Sequence, residues 1–199
     1  MYIAFDTETT GIDNNCQLLS ASFIILDKSF EIIDSLDLNI KYSSYVVFPE
    51  ALETNKINLI SHHKHPNTLN INMANTLLIN FLNCHKQKYR YIPIGHNISF
   101  DTNAIINNKL LTKESYSHYI SCNPIDTLVI SQFYKTINLI PTHCSLSLTS
   151  LCKNFNIALD NSLIHSSNYD TLLTIQLFKT LQNLVYNNNH ANKKRKLEH

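Results

Sequence analysis

Residues 5–11 read Phe-Asp-Thr-Glu-Thr-Thr-Gly and follow the apolar run Tyr2-Ile3-Ala4, which is typical of a buried strand. Successive side chains of a strand point to opposite faces, so Asp6 and Glu8 project from the same face. Two like charges at the end of a buried strand are costly unless a cation lies between them. The stretch therefore predicts either a divalent-metal site or a solvated strand end whose acids bind nothing.

Two later segments favour the first alternative. Residues 95–101 read Gly-His-Asn-Ile-Ser-Phe-Asp, and residues 165–170 read His-Ser-Ser-Asn-Tyr-Asp, with Asp170 five residues after His165. In their order and internal spacing, the three segments resemble the three sequence blocks of the DEDDh (DnaQ-like) 3′-to-5′ exonuclease superfamily. One block alone carries little weight, but three in the right order make chance an unconvincing explanation.

The resemblance extends from about residue 2 to about residue 185. It implies a ribonuclease-H-like fold of the α/β (α+β) class, in which a mixed sheet is flanked by helices. It also implies two bound Mg²⁺ ions, replaceable by Mn²⁺, and a general base, which we assign to His165. The acids that match the metal ligands of the superfamily are Asp6, Glu8, Asp101 and Asp170.

The residue types agree with this chemistry without the resemblance. Phosphodiester cleavage with two metal ions needs several carboxylate oxygens around hard cations that lie about 4 Å apart. Magnesium prefers carboxylates, waters and phosphate oxygens, so acids are expected to line the site. An imidazole then serves better as a proton acceptor than as a ligand. A lone histidine is more often structural, but the spacing of His165 to Asp170 favours the catalytic role.

Further residues are predicted to contact the terminal nucleotide. The run from Phe48 to Asn58 resembles a segment that packs beside the 3′ nucleotide in the superfamily, and it places Asn55 there, although a helix-end role is nearly as plausible. Asn97 either contacts substrate or bonds the loop backbone. Two threonines are predicted to act through their hydroxyls and backbone N–H groups. The full set is Thr9, Thr10, Asn55, Asn97 and Phe100.

Two other features resemble metal ligands and are interpreted otherwise. The cluster His62-His63-Lys64-His65 has no acid or cysteine at ligand spacing, and adjacent histidines on a loop rarely point at one ion. Asp126 resembles a fifth carboxylate ligand, but it stands where a helix begins. Its predicted role is that of an N-cap or first-turn acid.

Composition bounds the class of protein. The chain of 199 residues, 44% of them hydrophobic, suits one domain with a sizeable core. Its two glycines, Gly11 and Gly95, fall inside the blocks, which excludes a Gly-rich phosphate loop and a dinucleotide fingerprint.

Five cysteines without a Cys-x-x-Cys pair predict reduced, mostly buried thiols of a cytoplasmic protein. We see no leader and no apolar stretch approaching eighteen residues, and therefore expect no membrane association.

Charge distribution bears on the substrate. The chain has 16 basic and 15 acidic residues, and four of the basic ones form the segment Lys193–Lys196. We therefore expect no broad basic face for a long duplex, and a few nucleotides of a single strand are the better substrate. We predict one exonuclease domain over residues 1–186 and a disordered basic tail over 187–199. The last three residues, Leu197-Glu198-His199, resemble the remnant of an expression tag.

Hydrophobic periodicity predicts the strands and the helices. The predicted strands cover residues 2–7, 17–27, 30–40 and 91–94. The predicted helices begin at Pro49 and Asp126 and cover residues 67–86, 100–108, 146–155 and 168–186. The helix over 67–86 is predicted to bury one apolar stripe, which consists of Leu69, Met73, Leu77, Leu78, Phe81 and Leu82.

The sequence thus predicts an enzyme that releases nucleoside 5′-monophosphates from the 3′ ends of single-stranded DNA. An exoribonuclease is the alternative within enzymes, because the pocket residues that discriminate the 2′-hydroxyl cannot be placed from sequence. A proofreading-type subunit or nucleic-acid binder that acts mainly through a polymerase partner is the alternative from another class. The presence of all five site residues favours the enzyme.

Overall fold

The computed structural model describes residues 1–13, 15–85 and 88–197, with side chains as far as Val185. The strands are β1 (Tyr2–Thr9), β2 (Leu18–Leu26), β3 (Ile32–Ile40), β4 (Thr68–Leu69), β5 (Ile92–Gly95) and β6 (Ile125–Asp126). They form one sheet in the order β4-β3-β2-β1-β5-β6. The first three strands are antiparallel neighbours, whereas β4, β5 and β6 each run parallel to the strand they join.

Helices cover the sheet on both faces. They are α1 (Pro49–Asn55), α2 (Leu59–Lys64), α3 (Ile71–Cys84), α4 (Ile98–Asn107), α5 (Lys113–Tyr119), α6 (Thr127–Thr136), α7 (Leu148–Asn154) and α8 (Ser167–Leu197). The predicted α/β class, with a mixed sheet flanked by helices, is confirmed.

The alternation of side chains along β1 separates two cores. Ile3 and Phe5 lie in a hydrophobic core with buried residues of α3 and α4. Ala4 lies in a second core, on the opposite face, with Ile175 and Phe178 of α8. Even-numbered residues of β1 therefore face α8, and odd-numbered ones face the layer of α3 and α4.

The buried stripe of α3 differs from the prediction. Ala74, Leu78 and Leu82 are fully buried, whereas Met73 and Leu77 are 54% and 43% exposed. Residues four apart lie above one another on a helix, so a single line of small and branched side chains faces the sheet. The prediction was wrong for Met73 and Leu77, which stand beside that line and not on it.

Several short elements were not predicted. The histidine cluster, expected on a loop, ends the short helix α2, whose N-cap Asn58 accepts a hydrogen bond from the Ser61 N–H group. Strands β4 and β6 have two residues each, and α5 has seven. Segments of this length show no periodicity, and the two strands exist only because β3 and β5 offer free edges.

The last helix is longer than predicted. Its backbone is helical to Leu197, whereas the sequence places the helix end near residue 186 and a disordered tail after it. Lysine, arginine and leucine are good helix formers, and extending a helix is easier than nucleating one. The division at residue 186 stays a prediction, and Glu198 and His199 of the expected tag remnant lie outside the described residues.

All five cysteines are free, as predicted. Only Cys16 and Cys152 are buried, so the prediction that most of the thiols are buried was wrong. None of the helices in the described part of the chain combines the length and the hydropathy that a bilayer crossing requires.

Candidate active site

The acids of the first block lie at the carboxyl end of β1. Asp6 and Glu8 are half-buried and belong to the face that α8 covers. Asp170 lies in the first turn of α8, five residues before Ile175, which packs against β1. The packing of α8 on the sheet therefore brings Asp170 to the acids of the first block.

Asp101 reaches the acids of the first block from α4, the helix that follows β5 in the chain. Strand β5 is the second neighbour of β1 in the sheet. Strand β5 pairs with β1 only along Tyr2 to Ala4, so this edge of β1 is open beyond Ala4. There the Thr7 N–H group donates a hydrogen bond of 2.9 Å to Asp101 Oδ1, and the Thr7 hydroxyl donates one of 2.6 Å to the same oxygen. Asp101 thus takes the place of a strand partner, and Thr7, which the sequence analysis did not single out, holds it there.

Burial raises the pKa of all four acids, and the charges of other acids in the cluster add to the rise at Asp6 and Glu8. Burial, and then the charges of the other three acids, hold the pKa of Asp6 well above its usual range. Burial also raises the pKa of Glu8 to about 8, with the charges of Asp170 and Asp101 adding to it. The pKa of Asp101 is raised to about 7 by burial, against the hydrogen bonds from Thr7, and that of Asp170 to about 6, again by burial. Ionising such buried acids costs free energy, and a bound cation would lower that cost.

The donor set fits a divalent cation. Asp170 Oδ1 is buried and has no hydrogen-bond partner among the described residues. Glu8, His165 and Asp170 each offer a ligand atom within 4.8 Å of the others. Carboxylate oxygens are the ligands of hard cations such as magnesium and manganese. The residues present therefore suit the predicted kind of cofactor.

His165 lies in the turn before α8. Its backbone is in the left-handed region, with φ 66°. Its Nδ1 lies 4.0 Å from Asp170 Oδ2, and 42% of its side chain is exposed. Glu8 and His165 line a cleft of about 340 Å³. An exposed imidazole beside the acids can exchange a proton with a water or ligand in that cleft.

The two threonines of the first block bond their own loop. Thr9 is buried and its hydroxyl donates to the carbonyl of Gly11 at 2.5 Å. Thr10 is fully buried, its N–H group donates to the carbonyl of Gln17, and its hydroxyl accepts from the Gln17 N–H group. The hydroxyls of both threonines and the N–H group of Thr10 are thus engaged in the connection between β1 and β2.

Asn55 lines the cleft of Glu8 and His165 and also makes the contacts of a helix-end residue. It is buried at the end of α1, where its Nδ2 donates to the carbonyl of Thr9 at 3.0 Å and its Oδ1 accepts from the Ile57 N–H group at 3.1 Å. A hydrogen bond from Asn55 also opposes the rise in the pKa of Glu8. Asn55 therefore holds the helix end against the carboxyl end of β1, next to the acids.

Asp126 caps two helices. Its carboxylate accepts hydrogen bonds from the N–H groups of Leu128 at the start of α6 and of Asn97 and Ile98 at the start of α4. The predicted capping role is confirmed. Asn97 has φ 62° and binds this cap through its backbone, while its side chain is exposed.

Phe100 precedes Asp101 in the chain but lines a different cleft from that of Glu8 and His165. It lines a small cleft of about 60 Å³ in which none of the four acids takes part. A larger cavity of about 700 Å³, between α4, α5 and β6, also has none of the four in its described lining. The cleft of Glu8 and His165 borders the acid cluster.

The sheet is mixed, and its first strand carries two of the acids. One acid from α4, another from α8 and a histidine before α8 complete the cluster. The resemblance to the DEDDh superfamily predicts this arrangement. No protein-family model matches the chain. The fold is nevertheless similar to that of solved nuclease structures, with the mixed, helix-flanked sheet that the resemblance implies.

Exonuclease I superimposes with a TM-score of 0.72 at 17% sequence identity, over 99% of this chain and 45% of that one. The E. coli enzyme in complex with a dT13 oligonucleotide gives a TM-score of 0.71 at 17% identity, over 94% of this chain and 42% of that one. Cell-death related nuclease 4 gives 0.68 at 10% identity, over 92% and 64%. The fold that the resemblance of the three blocks implies is thus confirmed.

A curated relative is the PolC-type DNA polymerase III of Ureaplasma parvum serovar 3. It is 27% identical over 191 residues, which cover 94% of this chain and 12% of the polymerase. The chain therefore corresponds to a small part of that relative and to less than half of exonuclease I.

The raised pKa values predict how stability depends on pH. Without divalent cation, the free energy of unfolding is expected to fall as the pH rises from about 4, where the acids of the unfolded chain titrate, to about 8, where Glu8 titrates in the folded state. In this window the folded state holds more protons than the unfolded one, so raising the pH favours unfolding. Urea unfolding in EDTA at a series of pH values measures the slope.

A matched pair of variants assigns this slope to the site. Glu8→Gln removes one of the acids with a raised pKa and is expected to flatten the dependence. Glu53→Gln neutralises an exposed acid of α1 and is expected to leave it unchanged. An equally steep slope in Glu8→Gln and in the wild type would contradict the prediction.

Proposed function

We propose that the chain is a metal-dependent 3′-to-5′ exonuclease that releases nucleoside 5′-monophosphates from single-stranded DNA. The observation that carries the proposal is the convergence of acids from three separate segments beside one histidine. The members of this cluster are Asp6, Glu8, Asp101, Asp170 and His165. A cluster of acids whose pKa values are raised by burial, and at Asp6 and Glu8 also by neighbouring acids, is best explained by cation binding.

Each residue has a role in this proposal. The four acids hold two Mg²⁺ ions, or Mn²⁺ in their place. When bound, these ions supply positive charge at the phosphate and make water a better nucleophile. His165 accepts the proton of the attacking water, because its imidazole is exposed in the cleft and adjacent to Asp170. Thr7 holds Asp101 in place through two hydrogen bonds.

Single-stranded DNA is the proposed substrate for two reasons. The E. coli exonuclease I structures that share this fold hold dT13 and dA16 oligonucleotides. The chain also has nearly equal numbers of basic and acidic residues, which suits contact with a few nucleotides better than with a long duplex. We place the reaction in the cytoplasm, since the free thiols agree with a reducing compartment.

A second candidate is a proofreading-type role beside a polymerase. The relative that favours it is the PolC-type polymerase, whose matching segment spans nearly all of this chain. In that case the same acids would act on a 3′ end delivered by a polymerase partner. Co-purification with a polymerase, and a higher rate on a mismatched than on a matched primer end, would favour this role.

A labelled-oligonucleotide assay tests the proposed function. With Mn²⁺, a single strand with a free 3′ hydroxyl is expected to shorten to nucleoside 5′-monophosphates, and EDTA is expected to stop the reaction. A 3′ phosphate is expected to block degradation, whereas a 5′ block is not, because the 3′ end must enter the acid cluster. Duplex DNA and RNA of the same sequence are expected to react more slowly.

The same assay separates the alternatives. Faster degradation of RNA would make the chain an exoribonuclease. Efficient cutting of circular single-stranded DNA would make it an endonuclease of the same fold, and the directional proposal would then be wrong.

A further inference from the structure

The first turn of α8 is tied to the sheet by two contacts between side chains. Ser20 Oγ on β2 lies 3.0 Å from Ser167 Oγ. Asn168 Nδ2 donates to both carboxylate oxygens of Asp37 on β3, each at 3.0 Å. The partners are 147 and 131 residues apart in the sequence, so these contacts set where α8 begins relative to β2 and β3.

The register of the strands places both anchors beside the acids. Glu8 of β1 lies opposite Ser20 of β2. Asp6 lies opposite Ser22, and Ser22 lies opposite Asp37 of β3. Residues that oppose one another in a sheet share a face, and neighbouring strands lie about 4.8 Å apart. Asp37 therefore stands on the face of the acid cluster, two strands away from Asp6.

His165 lies before the first residue of α8, whereas Asp170 lies inside the helix. Asp170 is buried within α8, one turn before the residues that pack on β1. His165 precedes the helix, and its left-handed backbone, with φ 66°, is one that a residue with a side chain keeps only when its surroundings impose it. Its Nδ1 is 4.0 Å from Asp170 Oδ2, which is beyond hydrogen-bond distance. The chain that enters α8 therefore sets the position of the imidazole.

We infer that Asp37 and Asn168 are positioning residues for His165. Asp37 on β3 holds Asn168, and Asn168 fixes the start of α8 and with it the turn that carries His165. This inference rests on the proposed function, because it gives the pair a part in the proton transfer to His165. Both oxygens of Asp37 accept hydrogen bonds from Asn168, so we assign Asp37 no role as a further cation ligand.

Steady-state kinetics with Mn²⁺ and single-stranded DNA test the inference. Asp37→Ala and Asn168→Ala are each expected to lower kcat about ten-fold without changing KM, because a general base is displaced but not lost. The double variant is expected to be no slower than either single one. In the His165→Ala background neither substitution is expected to lower kcat further.

Two more variants sharpen the test. Asp37→Asn keeps an oxygen that accepts from Asn168, so it is expected to retain most of the rate. Asp34→Ala removes another carboxylate of β3, which is bonded to His85 at 2.8 Å. It lies about 10 Å along the strand from Asp37, and its kcat is expected to equal that of the wild type.

The outcomes distinguish the inference from the proposed function. If Asn168→Ala still costs ten-fold in the His165→Ala background, or acts on KM, the pair contacts substrate and the positioning role is wrong. If Asp37→Asn is as slow as Asp37→Ala, the charge itself is needed and the role is again wrong. A wild type without metal-dependent exonuclease activity would refute the proposed function instead.

Hydrogen exchange tests the contact between Asp37 and Asn168 without a measurement of enzyme activity. The Asp170 N–H group donates to the carbonyl of Ser166 in the first turn of α8. Its exchange is expected to be faster in both Asp37→Ala and Asn168→Ala than in the wild type and in Asp34→Ala. Unchanged exchange in the two variants would overturn the inference.

Discussion

Asp6→Asn is expected to lower exonuclease activity by at least about 10³-fold, at the upper end of what one electrostatic contact contributes in an active site. Burial and the charges of the neighbouring acids raise the pKa of Asp6, so this carboxylate repels its neighbours when no cation is bound. Neutralising Asp6 removes a proposed cation ligand, but it also removes the repulsion between Asp6 and the other acids. The melting temperature of the metal-free protein is therefore expected to stay the same or to rise.

Binding of the cation gives a second measurement. Mg²⁺ or Mn²⁺ is expected to raise the melting temperature of the wild type by mass action and that of Asp6→Asn much less. Glu8→Gln and Asp101→Asn are expected to behave in the same way. The control is Asp34→Asn, an exposed acid bonded to His85 and remote from the cluster, which is expected to keep full activity. Wild-type activity in Asp6→Asn would remove the two-metal proposal.

His165→Ala is expected to lower the rate by about 10²–10⁴-fold, the usual contribution of a general base, without loss of cation-induced stabilisation. The cations already activate the water, so the imidazole adds a positioned acceptor and not the whole effect. In the wild type the rate is expected to fall as the solution becomes more acidic, because a protonated imidazole cannot accept a proton. The part of this fall that comes from His165 is expected to be absent from His165→Ala, whereas the part that comes from protonation of the acids remains.

His85→Ala is the matched control, because His85 bonds Asp34 at a distance from the acids. Its rate and pH profile are expected to equal those of the wild type. If His165→Ala kept full activity and an unchanged pH profile, the proton acceptor would be a water or another group. A reduced rate together with weakened cation binding would instead assign His165 to the positioning of Asp170.

Local patterns were sufficient for much of the fold. The strand before Asp6 and Glu8, the helix that Pro49 opens and the cap at Asp126 all follow from interactions within a few residues, and each is present. The stripe of α3 shows where such reasoning fails. Met73 and Leu77 are apolar and close to the buried line, but the sheet accepts only the face that carries Leu78.

The sequence by itself determined the class of fold and which acids and histidine to consider, because block spacing and strand periodicity are local properties. Only the tertiary structure decided how they meet. Thr7 holds Asp101 across 94 residues, and Asp37 holds Asn168 across 131. Such contacts leave no periodic signal, since they arise from the packing of α4 and α8 on one sheet and not from neighbouring residues.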